Sequence, residues 1–245
     1  MKVGVWIVRP EAEPLGNLVA DGLCGQLFTP RGAPNRALFA EAFPMCSHWI
    51  LIMATGIAVR YLQGLVFDKK SDPAVVVVDE AGRFAVPLLG GHEAGANRLA
   101  YRVAELLGAA PVITTATEAL KPLVVGVGCR RGVSVEQIDA AVRGGLATVL
   151  REAGDIREVA TIDLKADEKG LRQWCEQNDV PLRIVARSAI VARPWAAEPS
   201  AWVEENAGVV GVCEPCALVA TFRGRLILPK TALDGVAVAI VEDGR

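Results

Sequence analysis

The feature that most restricts the fold is a series of short, continuous apolar runs, most of them rich in Val and Ile. Half-exposed strands alternate apolar and polar residues, whereas strands covered on both faces show unbroken apolar runs. Segments with helical spacing lie between the runs, and this order predicts an α/β protein with largely parallel or mixed sheets. The predicted strands cover residues 3–8, 48–54, 74–79, 84–89, 111–115, 123–128, 181–186, 225–230 and 236–242.

Two helices have recognisable ends. In residues 96–107 the apolar side chains fall on one helical face, and Gly108 follows as a stop signal. Ser134 and Gln137 have the spacing of a capping box, which predicts a helix that begins there and ends at the glycine pair 144–145.

The length of 245 residues suits two domains of about 100–150 residues each. The best boundary is the segment TEALKP (117–122), because it separates two predicted strands and Pro122 interrupts a helix. We therefore predict two α/β domains, 1–118 and 119–245. A substrate cleft is expected between them, since ligand sites often lie between domains.

The composition limits the function classes. The net charge is −2, so no overall positive field favours nucleic acid or an acidic membrane. The chain lacks an apolar run of about 18 residues, and its first ten residues resemble a strand more than a signal peptide. Six scattered cysteines are typical of reduced thiols, so we expect a cytoplasmic protein without nucleic-acid or membrane partners.

The stretch GGHEAGAN (90–97), called here the GGHEAGAN loop, separates a predicted strand from a predicted helix. Glycines let the backbone approach a ligand, and a helix N-terminus favours an anion. His92 can transfer a proton near neutral pH, and Asn97 can orient a carbonyl or a carboxylate. The alternative is a tight turn with a solvent-facing histidine. The glycines of this candidate site are Gly90, Gly91 and Gly95.

The sequence predicts no metal bound by protein side chains. His48 begins a predicted strand, where a structural role is expected, and His92 lacks a second histidine four residues later. Two histidines in these positions do not make a zinc signature.

The stretch GVGCRRG (126–132) follows a strand and precedes the capped helix, as a phosphate-binding turn does. Its spacing, Gly-x-Gly-x-x-x-Gly, departs from the dinucleotide fingerprint. Arg130 and Arg131 can instead bind carboxylates in a bidentate manner. The alternative is a pair of solvated arginines on a loop.

Other polar stretches have ordinary interpretations beside functional ones. The lone CxxC of VCEPC (212–216) is expected to be incidental, with Glu214 as its more interesting residue. The stretch 161–170 favours a surface ion-pair cluster. The stretches 54–62 and 68–80 contain further polar residues that fit plain turns.

Together these pieces resemble the cobalt-precorrin-5A hydrolase family of anaerobic cobalamin biosynthesis. In the first half the resemblance rests on MATGIAVR, DKKSDPAVVVVDEAGRFAVPLLGGHEAGANRLA and PVITTATE. In the second half it rests on VGVGCRRGVSVEQI, ATIDLKADEKGL, VGVCEPCALVA and LILPK. It covers residues 45–116 and 122–241, most of the chain.

The chain departs from the family pattern in two places. Members usually have Gly-His-x-Gly-Gly-Ala-Asn, whereas Ala94 replaces the first of the later glycines here. Members commonly carry an extra segment between the halves, which residues 117–121 replace here. The second half alone resembles a stand-alone protein of the aerobic pathway, which keeps a binding role open for it.

The resemblance implies a hydrolase that opens the δ-lactone of cobalt-precorrin-5A and releases acetaldehyde. The substrate brings its own cobalt, and hydrolysis needs no nicotinamide or flavin, so no cofactor is expected. The catalytic candidates that we carry over are His92, Asn97 and Glu214. The substrate-binding candidates are Gly90, Gly91, Gly95, Thr55, Gly56, Arg60, Lys69, Thr114, Thr115, Thr117, Cys129, Arg130, Arg131, Lys165 and Lys230.

Two other functions remain open from sequence. A corrinoid-binding carrier or scaffold of the same pathway would bind the tetrapyrrole tightly without releasing acetaldehyde. A nucleotide-dependent α/β enzyme would use GVGCRRG, although its glycine spacing counts against it. Other enzymes of the pathway and a second copy of the chain are the further partners considered.

Overall fold

The computed structural model describes residues 2–29, 35–192 and 211–244. The chain divides into two compact units, Met1–Thr115 and Ala116–Arg245. The predicted boundary between residues 118 and 119 falls inside a short helix at the start of the second unit. In the described ranges each unit contains one mixed sheet with helices, so the α/β fold class is confirmed.

The first unit is built on a six-stranded sheet in the order β2-β1-β3-β4-β5-β6. Neighbouring strands are parallel except β4 and β5, which are antiparallel. The strands are β1 Val3–Ile7, β2 Gln26–Phe28, β3 His48–Ile52, β4 Ala74–Val78, β5 Phe84–Leu89 and β6 Ala110–Pro111. The helices are α1 Glu13–Leu23, α2 Asn35–Ala42, α3 Thr55–Leu62 and α4 Ala96–Leu107.

Alternating side chains of this sheet enter two separate cores, which explains the unbroken apolar runs. Val5 and Val76 belong to the core that includes α1 and α4. Trp6, Trp49 and Val75 belong to the opposite core, which is rich in aromatic rings. Because successive residues of a strand point to opposite faces, a sheet covered on both sides needs apolar residues at every position.

The second unit is built on a five-stranded sheet in the order β10-β11-β7-β8-β9. Strands β7, β8 and β9 are parallel, and β11 is antiparallel to both β7 and β10. The strands are β7 Leu123–Cys129, β8 Ile156–Ile162, β9 Leu182–Val185, β10 Gly224–Leu233 and β11 Val236–Asp243. The helices are α5 Ala116–Ala119, α6 Val135–Thr148, α7 Lys169–Gln177, α8 Arg187–Val191 and α9 Cys213–Val219.

Local signals predicted helix starts well and some other elements poorly. Helix α4 covers the predicted residues, with Gly108 as its left-handed C-cap. The capping box of Ser134 and Gln137 is confirmed, but α6 runs past the glycine pair 144–145 because apolar packing continues beyond it. The predicted strand 111–115 is wrong beyond its first residue. Strands β2 and β8 were not predicted.

Among the described residues, no helix is long and apolar enough to cross a membrane.

Candidate functional site

The direction of β5 decides where the GGHEAGAN loop lies. Leu89 pairs with Val75 near the start of β4, because β5 is antiparallel to β4. The loop that follows Leu89 therefore lies at the edge where β3 and β4 begin, which we call the amino edge of the first sheet. Strand β6 is parallel to β5, so Thr114 and Thr115 follow it toward this same edge.

Backbone geometry fixes the GGHEAGAN loop. Gly90 has a φ of 67° and Gly95 a φ of 80°, in the left-handed region that favours glycine. A Cβ on Gly90 would lie 2.6 Å from the Cβ of Ala94, so this position has neither the conformation nor the space for a side chain. The carbonyl of Gly90 accepts hydrogen bonds from the N–H groups of Ala94 and Ala96, at 3.1 and 3.0 Å. The loop is a tightly folded turn onto the first residues of α4.

Asn97 is buried within this turn. Its side-chain Nδ2 donates to Thr115 Oγ1 at 2.9 Å, and its backbone N–H donates to the carbonyl of Gly91 at 2.9 Å. Its Oδ1 is buried without a hydrogen-bond partner. A Cβ on Gly91 would lie 2.7 Å from Thr115 Cγ2 and 2.9 Å from Asn97 Oδ1. Asn97 therefore joins the loop to the segment after β6.

His92 is exposed on this loop, where a proton donor or acceptor can meet solvent or a ligand. Its neighbour Glu93 forms an ion pair with Lys69, with Oε1 and Nζ 3.2 Å apart. A hydrogen bond from its own backbone and the Lys69 ammonium lower the pKa of Glu93. Lys69 thus lies at the amino edge, where its charge is paired with Glu93.

The second histidine also lies at the amino edge. His48 Nδ1 is 2.9 Å from Ser47 Oγ, and burial lowers the pKa of its imidazole. An open depression of about 780 Å³ lies at this edge. Its lining includes Ser47, His48, Asp72 and Ala94. The expected structural role of His48 fits these contacts, although the depression was not expected there.

Three predicted binding residues lie at the opposite edge of the first sheet. Thr55 and Gly56 open α3 directly after β3, and Arg60 Nη1 donates to the Gly56 carbonyl at 3.4 Å. Five-residue strands span roughly 16 Å between the two edges. The structure therefore does not bring Thr55, Gly56 and Arg60 together with the GGHEAGAN loop.

In the second unit, the predicted residues other than Thr117 lie at one edge, called here the carboxyl edge of the second sheet. Cys129 ends β7, and Lys165 follows β8, which is parallel to β7. Lys230 lies on β10, whose last residues pair with the start of β11 beside Cys129. Thr117 lies instead in α5, where it is exposed.

Arg130 and Arg131 are exposed on the loop that leaves this edge. The N–H of Arg130 donates to the carbonyl of Gly235 at 2.9 Å, and Gly132 has a φ of 77°. Within the described part of the chain, neither guanidinium has a carboxylate partner. Both are therefore available to bind the carboxylates of a ligand.

Lys165 and Cys129 lie deeper at the same edge. Lys165 Nζ is 3.9 Å from Glu168 Oε2, and only 18% of the lysine side chain is exposed. Burial raises the pKa of the Cys129 thiol to about 11, against a smaller opposing effect of Lys165. Cys129 therefore remains a neutral thiol near pH 7 and is not an activated nucleophile.

Glu214 occupies the first turn of α9. Its Oε1 accepts the backbone N–H of Lys230 at 2.7 Å, so the carboxylate fixes β10 against the helix. The CxxC pair Cys213 and Cys216 is buried, and burial raises both thiol pKa values, that of Cys213 to about 11. This agrees with an incidental CxxC.

Two polar contacts at the carboxyl edge were not predicted. Glu168 Oε1 accepts the N–H of Gly132 at 2.8 Å, and Gln137 Nε2 donates to Asp234 Oδ2 at 2.9 Å. These partners are 36 and 97 residues apart, so no local pattern indicates them. Among the residues described, no group of three or more His, Cys, Asp or Glu could hold a metal ion.

Comparison with known proteins identifies both halves. Residues 37–118 match the family model described as Cobalamin synthesis G N-terminal, and residues 123–241 match Cobalamin synthesis G C-terminus. The cobalt-precorrin-5A hydrolase of Salmonella typhimurium is 58% identical over 105 residues, which cover 43% of this chain and 30% of that protein. The enzyme of that name from Priestia megaterium is 35% identical over 156 residues, 63% and 40% of the two chains.

A third relative corresponds to about half of the chain. Protein CobE of Sinorhizobium sp is 30% identical over 124 residues, which cover 50% of this chain and 80% of CobE. The chain thus spans less than half the length of the two hydrolases, and it spans most of CobE.

Proposed function

Because the chain belongs to the cobalamin synthesis G family, we propose that it acts as a cobalt-precorrin-5A hydrolase, opening the substrate's δ-lactone with loss of acetaldehyde. The observation that carries the proposal is the match of both halves, in order, to the two models of this family. The names of the two hydrolases above support the reaction class.

The proposed substrate is a cobalt tetrapyrrole whose rim carries acetate and propionate groups. The exposed guanidinium groups of Arg130 and Arg131 support this substrate class, because planar donors bind carboxylates in pairs. Lys230 lies at the same edge of the second sheet, and Lys165 adds positive charge beneath it. We assign carboxylate binding to this edge.

Proton transfer is assigned to the GGHEAGAN loop. Water adds to the lactone carbonyl, the acyl–oxygen bond breaks, and a carboxylate and an alcohol are formed. The alcohol then loses its proton, its adjacent carbon–carbon bond breaks, acetaldehyde leaves, and the electron pair that remains on the macrocycle takes up a proton. His92 is the proposed base for water, and a positioned base contributes about 10²–10⁴-fold.

Asn97 and Glu214 receive revised roles in this proposal. Asn97 is buried and bound to Thr115, so we assign it to holding the GGHEAGAN loop and not to the lactone carbonyl. Glu214 accepts the Lys230 N–H, so we assign it to fixing β10. Cobalt is part of the substrate here, and the proposal uses no further cofactor.

The test is an incubation of the purified protein with the lactone-bearing cobalt intermediate, followed by mass spectrometry and an acetaldehyde assay. We expect release of one acetaldehyde per substrate. His92→Ala should lower kcat by about 100-fold or more while substrate binding remains. Unchanged turnover by this variant would remove His92 from the mechanism. Gln63→Ala, an exposed change elsewhere in the same unit, is the control.

A non-catalytic corrinoid carrier is the second candidate. It is supported by the similarity between half of the chain and most of CobE. This candidate predicts tight binding of the cobalt intermediate with no acetaldehyde from any preparation. The same incubation therefore separates the two functions. Association with other enzymes of the pathway, or with a second copy of the chain, would fit either of them.

A further inference from the structure

Glu168 is a nearly buried acid at the carboxyl edge of the second sheet. It precedes α7, and only 9% of its side chain is exposed. One carboxylate oxygen accepts the Gly132 N–H at 2.8 Å, and the other lies 3.9 Å from Lys165 Nζ. A buried carboxylate is costly unless it is paired and hydrogen-bonded, and these two contacts meet that need. They join the β8–α7 connection to the arginine loop, defined as residues 130–134.

The backbone at this contact is closely fitted. Gly132 adopts a φ of 77° with open space around it, so its conformation, and not its size, requires glycine. Gly170, in the first turn of α7, leaves no space, because a Cβ there would lie 2.2 Å from the carbonyl oxygen of Val133. The arginine loop therefore packs directly on the start of α7.

The opposite side of the arginine loop is also held. The N–H of Arg130 donates to Gly235, and Gln137, part of the capping box, donates to Asp234 from the first turn of α6. The loop backbone is thus bound by a carboxylate on one side and by the β10–β11 turn on the other. The side chains of Arg130 and Arg131 are exposed on this held backbone. Holding a binding loop in one conformation lowers the entropy lost when a ligand binds.

We propose that Glu168 is a positioning residue, which fixes the arginine loop so that Arg130 and Arg131 present their guanidinium groups to a polycarboxylate ligand. The ligand class rests on the proposed function, whereas the contact between Glu168 and the loop does not. A direct electrostatic effect of Glu168 on the ligand would change the affinity in the opposite direction to positioning. An acid near a polyanionic ligand repels it, so removing the charge alone would tighten binding. Positioning predicts that removing the hydrogen-bond acceptor weakens binding.

Four variants separate these effects. Glu168→Ala removes both charge and acceptor, Glu168→Gln keeps an acceptor without charge, and Glu168→Asp keeps the charge on a shorter side chain. Glu176→Ala, which removes an exposed acid from the helix that follows Glu168, is the matched control. The probe is cobyrinic acid, a cobalt corrinoid with free carboxylates, titrated by tryptophan fluorescence. We expect affinity to fall about 10-fold for Glu168→Ala, as for loss of a hydrogen bond to a charged group, and to stay within about 3-fold for Glu168→Gln.

Combination with an arginine change tests the mechanism itself. If Glu168 acts through the loop, Arg131→Ala should cost less affinity in the Glu168→Ala background than in the wild type, since coupled residues are not additive. Hydrogen exchange of the Gly132 amide gives a second readout that needs no ligand. We expect protection at Gly132 to fall in Glu168→Ala and to persist in Glu168→Gln and Glu176→Ala.

The proposal is overturned if Glu168→Ala binds the probe as tightly as the wild type or more tightly, if its effect adds fully to that of Arg131→Ala, or if Gly132 keeps its protection. Failure of the proposed function looks different. If Arg131→Ala has no effect on probe binding, or the wild type binds no probe, the carboxylate assignment fails. Hydrogen exchange of the Gly132 amide alone then tests whether Glu168 holds the arginine loop. If Glu168→Ala does not fold, Glu168→Asp serves the same comparisons.

Discussion

The amino edge of the first sheet and the carboxyl edge of the second sheet are organised by different means. At the amino edge, glycine conformation and close backbone contacts shape the GGHEAGAN loop, and one buried amide side chain, that of Asn97, holds it. At the carboxyl edge, carboxylates hold the backbone: Glu168 binds Gly132 of the arginine loop, and Glu214 binds Lys230 of β10. Small substitutions should therefore damage the fold at the first edge and the placement of charges at the second.

The largest effect is expected for Gly90→Ala at the amino edge. Its φ of 67° and the 2.6 Å approach to Ala94 combine a strained conformation with overpacking. We expect the free energy of unfolding to fall by about 3 kcal/mol. Gly95→Ala is the matched control, since it shares a positive φ but meets nothing within 4 Å. It should cost about 1 kcal/mol. Urea denaturation measures both.

A second substitution sharpens this comparison. Because the atom in the way is the Cβ of Ala94, Ala94→Gly in the Gly90→Ala background should restore about 1–2 kcal/mol. Equal losses for Gly90→Ala and Gly95→Ala, with no recovery in the double variant, would show that packing does not distinguish the two glycines.

The next largest effect is expected for Asn97→Ala. Loss of the hydrogen bond to Thr115 and of a buried side chain should lower the free energy of unfolding by about 2 kcal/mol. Thr115→Val should cost somewhat less, and a double-mutant cycle should show about 1 kcal/mol of coupling. Thr114→Val, which removes an exposed hydroxyl next to it, is the control. Fully additive losses would contradict a direct contact.

Much of the amino edge could have been predicted from sequence, and one signal was overlooked. The five residues 79–83 separate β4 from β5. A parallel crossover needs a dozen or more residues, so this length requires an antiparallel pair and places the GGHEAGAN loop away from Thr55. The carboxylate of Asp79 closes the turn by accepting the N–H groups of Arg83 and Phe84, each at 2.8 Å.

The carboxyl edge was harder to predict because its contacts are long-range. The Asp-Gly pair at 234–235 is a hairpin signal that indicates the antiparallel β10 and β11.

Strand β8 was missed because it contains Arg157 and Glu158, and a charged pair argues against a buried strand. Glu158 is only 3% exposed, and its Oε1 lies 3.5 Å from Arg183 Nη1 on the neighbouring strand. Only the folded chain supplies that partner.

A smaller effect is expected at the carboxyl edge at alkaline pH. Burial raises the pKa of Cys129 from 9.0 to about 11, so the folded state binds this proton more tightly than the unfolded state. The stabilisation is therefore complete below pH 9 and is lost as pH rises toward 11. Because the thiol is partly exposed, we expect a loss of about 1 kcal/mol. Between pH 8 and pH 10.5 the free energy of unfolding should fall by about 1 kcal/mol less in Cys129→Ser than in wild type, because Cys213 and Cys216 contribute to the loss in both proteins. Parallel curves for the two proteins would contradict it.

The smallest effect is expected for the Lys69–Glu93 ion pair, although Glu93 lies on the loop that carries His92. Its side chains are 73% and 43% exposed, and exposed pairs contribute little because water and salt screen them. Lys69→Met and Glu93→Gln should each change the free energy of unfolding by less than about 0.5 kcal/mol.

The ion pair should instead affect the affinity for a ligand. If Glu93 occupies the Lys69 ammonium, Glu93→Gln frees that cation and should tighten binding of a polycarboxylate about 2- to 5-fold at low salt, an effect that 0.5 M salt removes. Lys70→Met, an exposed neighbour, is the control. A loss of more than about 1 kcal/mol in either variant would show that side-chain charges, and not backbone packing alone, hold the amino edge.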